Sequence, residues 1–434
     1  MRIVDLIQSK RDGTEFSKEE VEFFLQGFLK GEIPDYQAAA LLMSVFFVGL
    51  SDSEIVDWTE NMLRAAPQLD LGEIPQPKID KQSTGGVGDK TSLIVGPLVA
   101  AAGITVPMIA GRSSAYTGGT LDKIQSIPGF NAFLSAKEFK AVLGHAGIAM
   151  ISPSEEMTPA VMKMAPLREA TATVESIPLM IASILSRKFV EGIDGLVLDV
   201  KTGAGSLISK MTESRRLAQS LLNVSKRMNK KALCVISDMD QPLGYAIGNA
   251  LEVMEAVETM RGNGPTDVVE LSLELAARMV CLAYPERTLE DAKEQVFKLL
   301  SDGSALRKFK QMIEVQGGNP AAIDSFELLP TASAEFVISS PRAGYVSRIS
   351  ADDIGQATMY LGAGRQNLKS EIDFAVGIVL EHKVGDRVEA GERLCSIYYN
   401  DGTHLEEASQ MVEDAFHISA TQPETRPLIY EVLQ

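Results

Sequence analysis

The stretch Lys81-Gln82-Ser83-Thr84-Gly85-Gly86-Val87-Gly88-Asp89-Lys90-Thr91-Ser92 combines glycines, hydroxyl side chains and lysines between apolar flanks. Glycines let backbone N–H groups turn toward a ligand without a Cβ in the way, and hydroxyl and ammonium groups complete the surroundings of a phosphate. The apolar, alanine-rich residues 93–102 that follow predict a buried helix, whose N-terminal dipole favours an anion. We therefore expect an anion-binding loop at the start of a helix.

The glycine spacing of this loop fits neither the dinucleotide fingerprint nor the Walker phosphate loop. Spacing alone therefore also allows a glycine-rich turn before a core helix. A second segment, Thr117-Gly118-Gly119-Thr120-Leu121-Asp122-Lys123, repeats the pattern of hydroxyl, two glycines and hydroxyl after the apolar run 104–110. Two such loops favour a shared phosphate site over an ordinary turn.

Length, charge and cysteine content limit the class of protein. A chain of 434 residues is long enough for two or three domains. The net charge of −17 excludes a general nucleic-acid binder, so any phosphate binding must come from a local cleft. Three widely spaced cysteines predict a reduced, cytoplasmic compartment without disulfides. Because we find neither a signal-peptide pattern nor an apolar run of membrane length, we expect a soluble protein without a membrane partner.

The pattern of apolar residues predicts an α/β protein. Residues 1–66 have helical periodicity, and Ser-x-x-Glu capping boxes begin at Ser17 and Ser51. From about residue 75, short apolar runs alternate with loops and helical stretches, which is typical of a mostly parallel sheet. We expect a helical domain of residues 1–66 completed by about 160–190, a larger mixed α/β domain of residues 67–159 and 191–330, and a C-terminal α+β subdomain of residues 335–434.

Loops that follow the strands are the expected ligand sites of such a sheet. Residues 199–205 and 237–244 are two of these loops. Before them in the chain, residues 167–178 lead into a helix on which Ser183 and Arg187 are four apart and share a face. A face that carries Ser and Arg is also compatible with simple exposure to solvent.

The predicted loops contain no nucleophilic triad. All four histidines lie outside them, which argues against a Ser-His-Asp site or a His-rich metal site. The loops instead contain hydroxyls, backbone N–H groups, Lys81, Arg168 and Arg187. This set is suited to holding an oxyanion nucleophile and stabilising a negatively charged leaving group.

Five long motifs in order resemble those of the pyrimidine-nucleoside and thymidine phosphorylases, dimeric two-domain enzymes that cleave nucleosides with phosphate. The motifs are K-x-S-T-G-G-V-G-D at Lys81, G-R…T-G-G-T-x-D-K at 111–123, L-R…T-A-T-V-x-S-I-P-L at Leu167, D-V-K-T-G-A-G at Asp199 and S-D-M-x-Q-P-L-G-Y-A-I-G-N-A-L-E-V at Ser237. The resemblance implies a homodimeric nucleoside phosphorylase, or pentosyltransferase, that produces a free base and (deoxy)ribose 1-phosphate. It implies inorganic phosphate as co-substrate and no cofactor.

The same resemblance assigns roles to individual residues. It implies that phosphate is held by Lys81, Ser83, Gly85, Ser92 and Thr120. It implies that the nucleoside is held by Arg168, Ser183 and Arg187, with Gln82 and Tyr116 beside the base. Arg168, Arg187 and Lys81 would act in catalysis, by stabilising the departing base and the attacking phosphate.

The chain departs from the family pattern where the ligands should lie. Gln82 stands where the family usually has His, Ala110 where it has Ser, Ala165 where it has Tyr, and Arg187 where it has Lys. Residues 113–116 replace Gly-Leu-Gly-His. Retained phosphorolysis of a pyrimidine nucleoside is one interpretation. The alternatives are a phosphorylase for a different or modified nucleoside, and a non-catalytic nucleoside-binding paralogue.

One departure predicts a replaced ion. Relatives from Gram-positive bacteria bind potassium with oxygens at the positions of Gly88, Lys90, Leu243, Ala246 and Glu255, and carry a hydroxyl residue at the position of Lys90. An ammonium group is a monovalent cation of similar size. We predict that the Lys90 side chain occupies this ion site with Glu255 as its counter-charge, so that the protein holds no metal there. The alternative is that Lys90 points to solvent.

Overall fold

The computed structural model describes residues 1–112, 118–365 and 371–434. Tyr116, which sequence analysis placed beside the base, lies outside the described residues. The α-helices of the described part are α1 (Ile3–Arg11), α2 (Lys18–Lys30), α3 (Asp35–Val48), α4 (Asp52–Arg64), α5 (Thr91–Ala101), α6 (Thr120–Ile124), α7 (Ala136–Ala146), α8 (Pro159–Ala170), α9 (Ile177–Phe189), α10 (Met211–Arg227), α11 (Asn249–Met260), α12 (Thr266–Ala283), α13 (Leu289–Ser301), α14 (Ser304–Val315), α15 (Ala351–Tyr360) and α16 (Leu405–Ala415).

The strands of the described part form four sheets. They are β1 (Ile79–Ser83), β2 (Val106–Ile109), β3 (Ile148–Ile151), β4 (Gly195–Thr202), β5 (Lys231–Asp238), β6 (Ala246–Ile247), β7 (Ala334–Ser339), β8 (Gly344–Ile349), β9 (Gly377–Leu380), β10 (Arg387–Val388), β11 (Arg393–Tyr399), β12 (Phe416–Ser419) and β13 (Ile429–Leu433). Short 3₁₀ turns at Pro320–Ile323 and Phe326–Leu328 follow α14.

The helical unit consists of α1–α4 together with α8 and α9. The predicted capping boxes are confirmed: the Ser17 and Ser51 hydroxyls each accept from the backbone N–H three residues on, and the Glu there binds back. Trp58 of α4 is fully buried against Phe24 of α2. Helix α9 packs against α3 and α4, so this unit is closed by a segment more than 100 residues downstream.

The main sheet confirms the predicted α/β class. Its strand order is β1-β4-β5-β13, and the first three strands are parallel. Strand β4 is buried along its whole length, with Leu196 and Leu198 in the core shared with the helical unit and Val197 in the core on the opposite face. A strand that is apolar on both faces is typical of a parallel sheet covered on both sides. The carboxyl end of β1 leads into the anion-binding loop of residues 81–92, and those of β4 and β5 lead into the predicted ligand loops 199–205 and 237–244.

The last strand joins an unexpected partner. On sequence grounds residues 429–433 belong with the C-terminal subdomain, whereas β13 pairs antiparallel with β5 at the edge of the main sheet. Similarly, β6 of the central region pairs with β9 of the C-terminal unit. Pairing between residues so far apart in the chain depends on tertiary structure, and it has no local sequence signal.

The C-terminal unit contains two antiparallel sheets, β6-β9-β11-β7 and β10-β8-β12, packed with α15 and α16. The sequence of residues 385–392 is rich in turn-forming residues, with glycines at both 385 and 391, and this pattern is a signal for a β-hairpin. In the structure β9 and β11 pair with each other, and the intervening β10 leaves to pair with β8. The turn signal was therefore correct: the strands on either side of it lie in one sheet, and the short β10 within it belongs to the other. Within residues 1–112, 118–365 and 371–434, no helix is both long and apolar enough to span a membrane.

Candidate functional site

The floor of the candidate phosphate site is formed by Lys81, near the carboxyl end of β1. Its side chain is fully buried. The ammonium group donates to the hydroxyl of Thr91, 2.5 Å away, and to that of Ser92, 3.3 Å away, both at the start of α5. The Lys81 charge thus lies directly behind the hydroxyl layer at a helix N-terminus, where an anion is favoured.

A network of buried charges surrounds Lys81. Asp199 lies 3.9 Å from the Lys81 ammonium and 2.8 Å from that of Lys201. Burial lowers the pKa of Lys81, against the opposing effect of Asp89 and Asp199. Burial alone would raise the pKa of Asp89, but the ammonium groups of Lys201 and Lys81 hold it well below its usual value. Lysine and aspartate side chains of opposite charge therefore alternate in fixed positions at the phosphate end of the site.

The side of this loop that faces outward consists of Ser83 and Gly85, which are both partly exposed. The Gly85 N–H donates to the Ser83 hydroxyl over 3.2 Å. Gly85 has a φ of +99°, a conformation that favours glycine. Ser92 is nearly buried and contributes its hydroxyl from α5. Hydroxyl and amide groups, rather than the ammonium itself, form the accessible surface of the cradle.

The second glycine-rich loop is joined to the first by Lys123. Its ammonium group donates to the backbone carbonyl of Asp89 over 2.6 Å and lies 2.6 Å from the Glu252 carboxylate. Thr120, the first residue of α6, is partly exposed on the same loop. The structure thus ties together the two loops that sequence analysis predicted to share one anion.

The candidate base pocket adjoins the cradle through Gln82 and Arg187. The Gln82 side-chain amide donates to the Ser83 carbonyl over 2.5 Å, and its oxygen accepts from Arg187 over 3.3 Å. The Arg187 Nε atom is buried and has no hydrogen-bond partner in the described part of the chain. Burial lowers the pKa of Arg187. Ser183, one turn earlier on α9, is partly exposed like Arg187, while the residues between them are buried.

Arg168, at the end of α8, has more partners than Arg187. Its guanidinium donates to the carbonyls of Thr173, Val174 and Leu179, at distances of 2.7 to 3.4 Å. Burial, with a smaller contribution from Arg187 and against the effect of Glu169, lowers the pKa of Arg168 to about 10. Arg168 therefore holds the loop that leads into α9.

The predicted ion site contains the Lys90 side chain. Its ammonium group is buried, and it donates to the carbonyls of Leu243 and Ala246 over 2.8 and 3.0 Å. It also contacts the Glu255 carboxylate at 2.5 Å. Gly88 packs so closely on this segment that a Cβ would lie 2.5 Å from the Leu243 oxygen. Among the described residues, no cluster of His, Cys, Asp or Glu is suited to a metal ion.

Sequence analysis assigned no role to Lys201, Lys123 or Glu252. Lys201 lies in the D-V-K-T-G-A-G motif, and Lys123 ends the motif at 111–123. Both positions were therefore within quoted motifs, but neither lysine was assigned a role. Glu252 lies on α11 within the motif that begins at Ser237, and its contact with Lys123 in the folded chain shows what it does there.

Three family models match successive parts of the chain. Residues 4–66 match the helical bundle domain of a glycosyl transferase family, and residues 75–306 match the α/β domain of the same family. Residues 345–419 match the pyrimidine nucleoside phosphorylase C-terminal domain.

Individual relatives agree with these models. The chain is 45% identical over 431 residues to a pyrimidine-nucleoside phosphorylase of Geobacillus stearothermophilus, with 99% of both chains covered. It is 44% identical over 420 residues to a pyrimidine-nucleoside phosphorylase of Bacillus subtilis, covering 97% of both. A crystal structure of anthranilate phosphoribosyltransferase from Thermus thermophilus superposes with a TM-score of 0.59 at 17% identity, covering 72% of this chain and 99% of that one, which shows a shared fold. From these matches along its whole length, the chain belongs to the pyrimidine-nucleoside phosphorylase family of glycosyl transferases.

Proposed function

We propose that this protein cleaves the glycosidic bond of a pyrimidine nucleoside with inorganic phosphate, releasing the base and (deoxy)ribose 1-phosphate. The observation that carries the proposal is the junction of two different subsites. A cradle of hydroxyls and amides backed by Lys81 adjoins a pocket whose Arg187 has an unpartnered buried donor among the described residues. One subsite suits an oxyanion nucleophile, and the other suits a base that leaves as an anion.

The phosphate end would position the nucleophile. Ser83, Gly85, Ser92 and Thr120 supply hydroxyl and N–H groups, and the buried Lys81 supplies positive charge from behind. An oxygen of HPO₄²⁻ attacks C1′ of the sugar as the bond from C1′ to the base breaks. The electron pair of that bond leaves with the base, and the phosphate proton is passed through solvent to the base nitrogen. Phosphate is the co-substrate of this reaction, and no cofactor takes part in it.

The base end would stabilise the departing anion. Within the described part of the chain, Arg187 donates one side-chain hydrogen bond, to Gln82, so its remaining donors are available to carbonyl oxygens of a pyrimidine. Arg168 adds positive charge while fixing the loop before α9, and Ser183 contributes a hydroxyl on the face shared with Arg187. Tyr116 stays a sequence-based candidate beside the base.

A second candidate function is phosphorolysis of a different or modified nucleoside. It is favoured by the contact between Gln82 and Arg187, because a neutral amide and a forked guanidinium present a different donor pattern from the His and Lys usual in the family. A non-catalytic nucleoside-binding protein is the third alternative.

One experiment separates the three. The purified protein is incubated with a panel of ribo- and deoxynucleosides, with and without phosphate, and base release is followed by chromatography. Phosphate-dependent release from uridine or thymidine supports the proposed function. Release only from another nucleoside supports the second, and binding without turnover supports the third.

We also propose a cytoplasmic homodimer. Helix α3 exposes Tyr36 and Phe47 at 75% and 79% of their surface, and Val48 is also exposed. Large apolar side chains on one helix are typical of a subunit contact. Sedimentation of the wild type and of Phe47→Ser tests this, since we expect the variant to shift the protein toward monomer.

We propose further that the Lys90 ammonium replaces a potassium ion. Two backbone carbonyls and the Glu255 carboxylate already surround it, so they leave no position for a metal cation between them. The carboxylates of Glu255 and Glu252 raise the pKa of Lys90 in spite of its burial, which keeps the group charged at neutral pH.

The test replaces potassium chloride by choline chloride at constant ionic strength. Wild-type activity should be unchanged, whereas Lys90→Ser should be weakly active in choline and recover as potassium is added. A strong potassium dependence of the wild type would contradict the replacement.

A further inference from the structure

Residues 242–246 form a segment in which every backbone carbonyl accepts a hydrogen bond. Lys90 donates to the carbonyls of Leu243 and Ala246. Lys383 donates to those of Pro242 and Gly244, the latter over 2.9 Å. The remaining carbonyl, that of Tyr245, accepts from the Leu380 N–H over 2.9 Å. Two lysines thus share the four other carbonyls of one short stretch.

Each of these lysines is paired with a carboxylate that binds the same segment. Glu255 contacts Lys90 and accepts from the Tyr245 and Ala246 N–H groups over 3.0 and 3.1 Å. Asp267 contacts Lys383 at 3.0 Å and accepts from the Gly244 N–H, also over 3.0 Å. The segment is therefore held from two sides by two ion pairs that use both its N–H and its carbonyl groups.

The two ion pairs come from different parts of the chain. Lys90 belongs to the phosphate loop, immediately before α5. Lys383 follows β9 in the C-terminal unit, where its side chain is only 13% exposed. The adjacent Val384 N–H donates to the Gln241 side chain over 3.0 Å, which adds a further bond at the start of the segment.

The segment in turn contacts the phosphate loop directly. The Leu243 N–H donates to the Val87 carbonyl over 3.1 Å. Gly88 has a φ of +74° and packs on the Leu243 carbonyl with no room for a side chain. A displacement of residues 242–246 would therefore displace Val87 and Gly88, which lie between Gly85 and the hydroxyls at the start of α5.

We infer that Lys383 of the C-terminal unit is a positioning residue for phosphate binding, acting through residues 242–246 on the loop 83–92. The inference rests on the proposed function and extends it, because it makes the C-terminal unit part of the phosphate site. Lys383 does not touch the substrate. It fixes the backbone against which the phosphate loop is shaped, and hydrogen bonds from a charged donor are the stronger kind for that purpose.

The test compares Lys383→Met with Arg387→Met, a control on the same turn region whose side chain is exposed and pairs with the nearby Glu389. We expect Lys383→Met to raise KM for phosphate at least tenfold while KM for the nucleoside changes less than twofold. Arg387→Met should leave both constants unchanged. Lys383→Arg should restore part of the phosphate affinity, because it keeps the charge.

Hydrogen exchange gives a readout that does not need activity. Amides of residues 84–92 should exchange faster in Lys383→Met than in the wild type, and those of Arg387→Met should not. Unchanged exchange in residues 84–92, or a lower melting temperature with unchanged KM values, would overturn the inference.

The two proposals can fail separately. A wild type that performs no phosphorolysis would remove the proposed function, and the exchange of residues 84–92 would then decide the inference alone. If Lys383→Met does not fold, Asp267→Asn takes its place. It keeps an acceptor for the Gly244 N–H but weakens the ion pair, so the same selective rise in phosphate KM is expected, with a smaller size.

Discussion

The two ends of the candidate site differ in how completely their charges are partnered. At the phosphate end, Lys81 has two hydroxyl acceptors, and Lys201 and Asp199 form a close ion pair behind it. At the base end, the Arg187 guanidinium has a single side-chain partner and a buried Nε that binds nothing in the described residues. At the phosphate end, Lys201 and Asp199 lie against opposite charge even though their hydrogen-bond geometry is incomplete, whereas the Arg187 Nε at the base end has no acceptor among the described residues.

This difference indicates how the two ends would contribute to catalysis. Partnered charges in a buried network are fixed in place and cost no reorganisation during the reaction. A guanidinium whose buried Nε lacks an acceptor is unfavourable in the free protein, so an acceptor that becomes negative in the transition state gains most from it. The phosphate end would position the attacking phosphate. The base end would bind the transition state more strongly than the ground state.

The largest expected effect is at Lys81. Lys81→Met removes the charge behind the hydroxyl layer and leaves Asp199 and Asp89 with one ammonium less. We expect kcat/KM to fall roughly 10²- to 10³-fold, as for the loss of a preorganised oxyanion contact. Steady-state kinetics with phosphate varied would measure it, with Lys140→Met, at a partly exposed lysine that pairs with Glu73, as control. A loss below tenfold would place the phosphate charge elsewhere.

Arg187→Met sharpens the comparison at the base end. Loss of a charged donor to the leaving base should reduce kcat by about tenfold to a hundredfold, corresponding to about 1.5–3 kcal/mol. Because the guanidinium is poorly partnered in the free protein, the melting temperature should stay constant or rise. Kinetics and thermal unfolding of the same preparation test both statements, and Arg187→Lys should retain part of the activity. Loss of stability with intact kcat would show a purely structural arginine.

Arg168→Met should show the opposite balance. Its guanidinium holds the carbonyls of Thr173, Val174 and Leu179, so removal should lower the free energy of unfolding by about 1–3 kcal/mol. Activity should fall as well, because the loop before α9 loses its support. Denaturant unfolding would measure the change, with the exposed Arg216→Met as control. If the free energy of unfolding did not change, Arg168 would not be needed to hold this loop, and its guanidinium would be as free to bind ligand as that of Arg187.

Local sequence patterns predicted much of the fold. The capping boxes at Ser17 and Ser51 and the apolar first half of β4, residues 195–198, are properties of neighbouring residues, and all three appear in the structure. The pairing of β13 with β5 was not predicted. This pairing depends on which edge of the folded sheet is free to accept another strand, and residues 429–433 alone do not specify that edge.

The candidate site shows the same limit. Glycine-rich motifs identified both loops of the cradle, and the linking contact between Lys123 and Asp89 lies within those motifs. Lys383 had no comparable signal, because its acceptors lie about 140 positions earlier in the chain. A lysine in a turn-rich stretch usually points to solvent, and only the folded structure reveals that this one is nearly buried.

The smallest expected effect is a pH dependence from Lys81. Because burial lowers its pKa below the ordinary 10.5, kcat/KM for phosphate should fall on the alkaline side at a pH below that value. The folded state binds this proton more weakly than the unfolded chain, so titration of Lys81 makes the fold more stable as pH rises between the two pKa values. Loss of activity and loss of structure should therefore separate. In Lys81→Arg the alkaline fall in kcat/KM should move to higher pH, since a guanidinium stays charged. Titration of the nucleoside affects both proteins equally, so it does not contribute to this difference. An identical limb in Lys81→Arg would assign the titration to another group and remove the lysine charge from the phosphate end of the comparison.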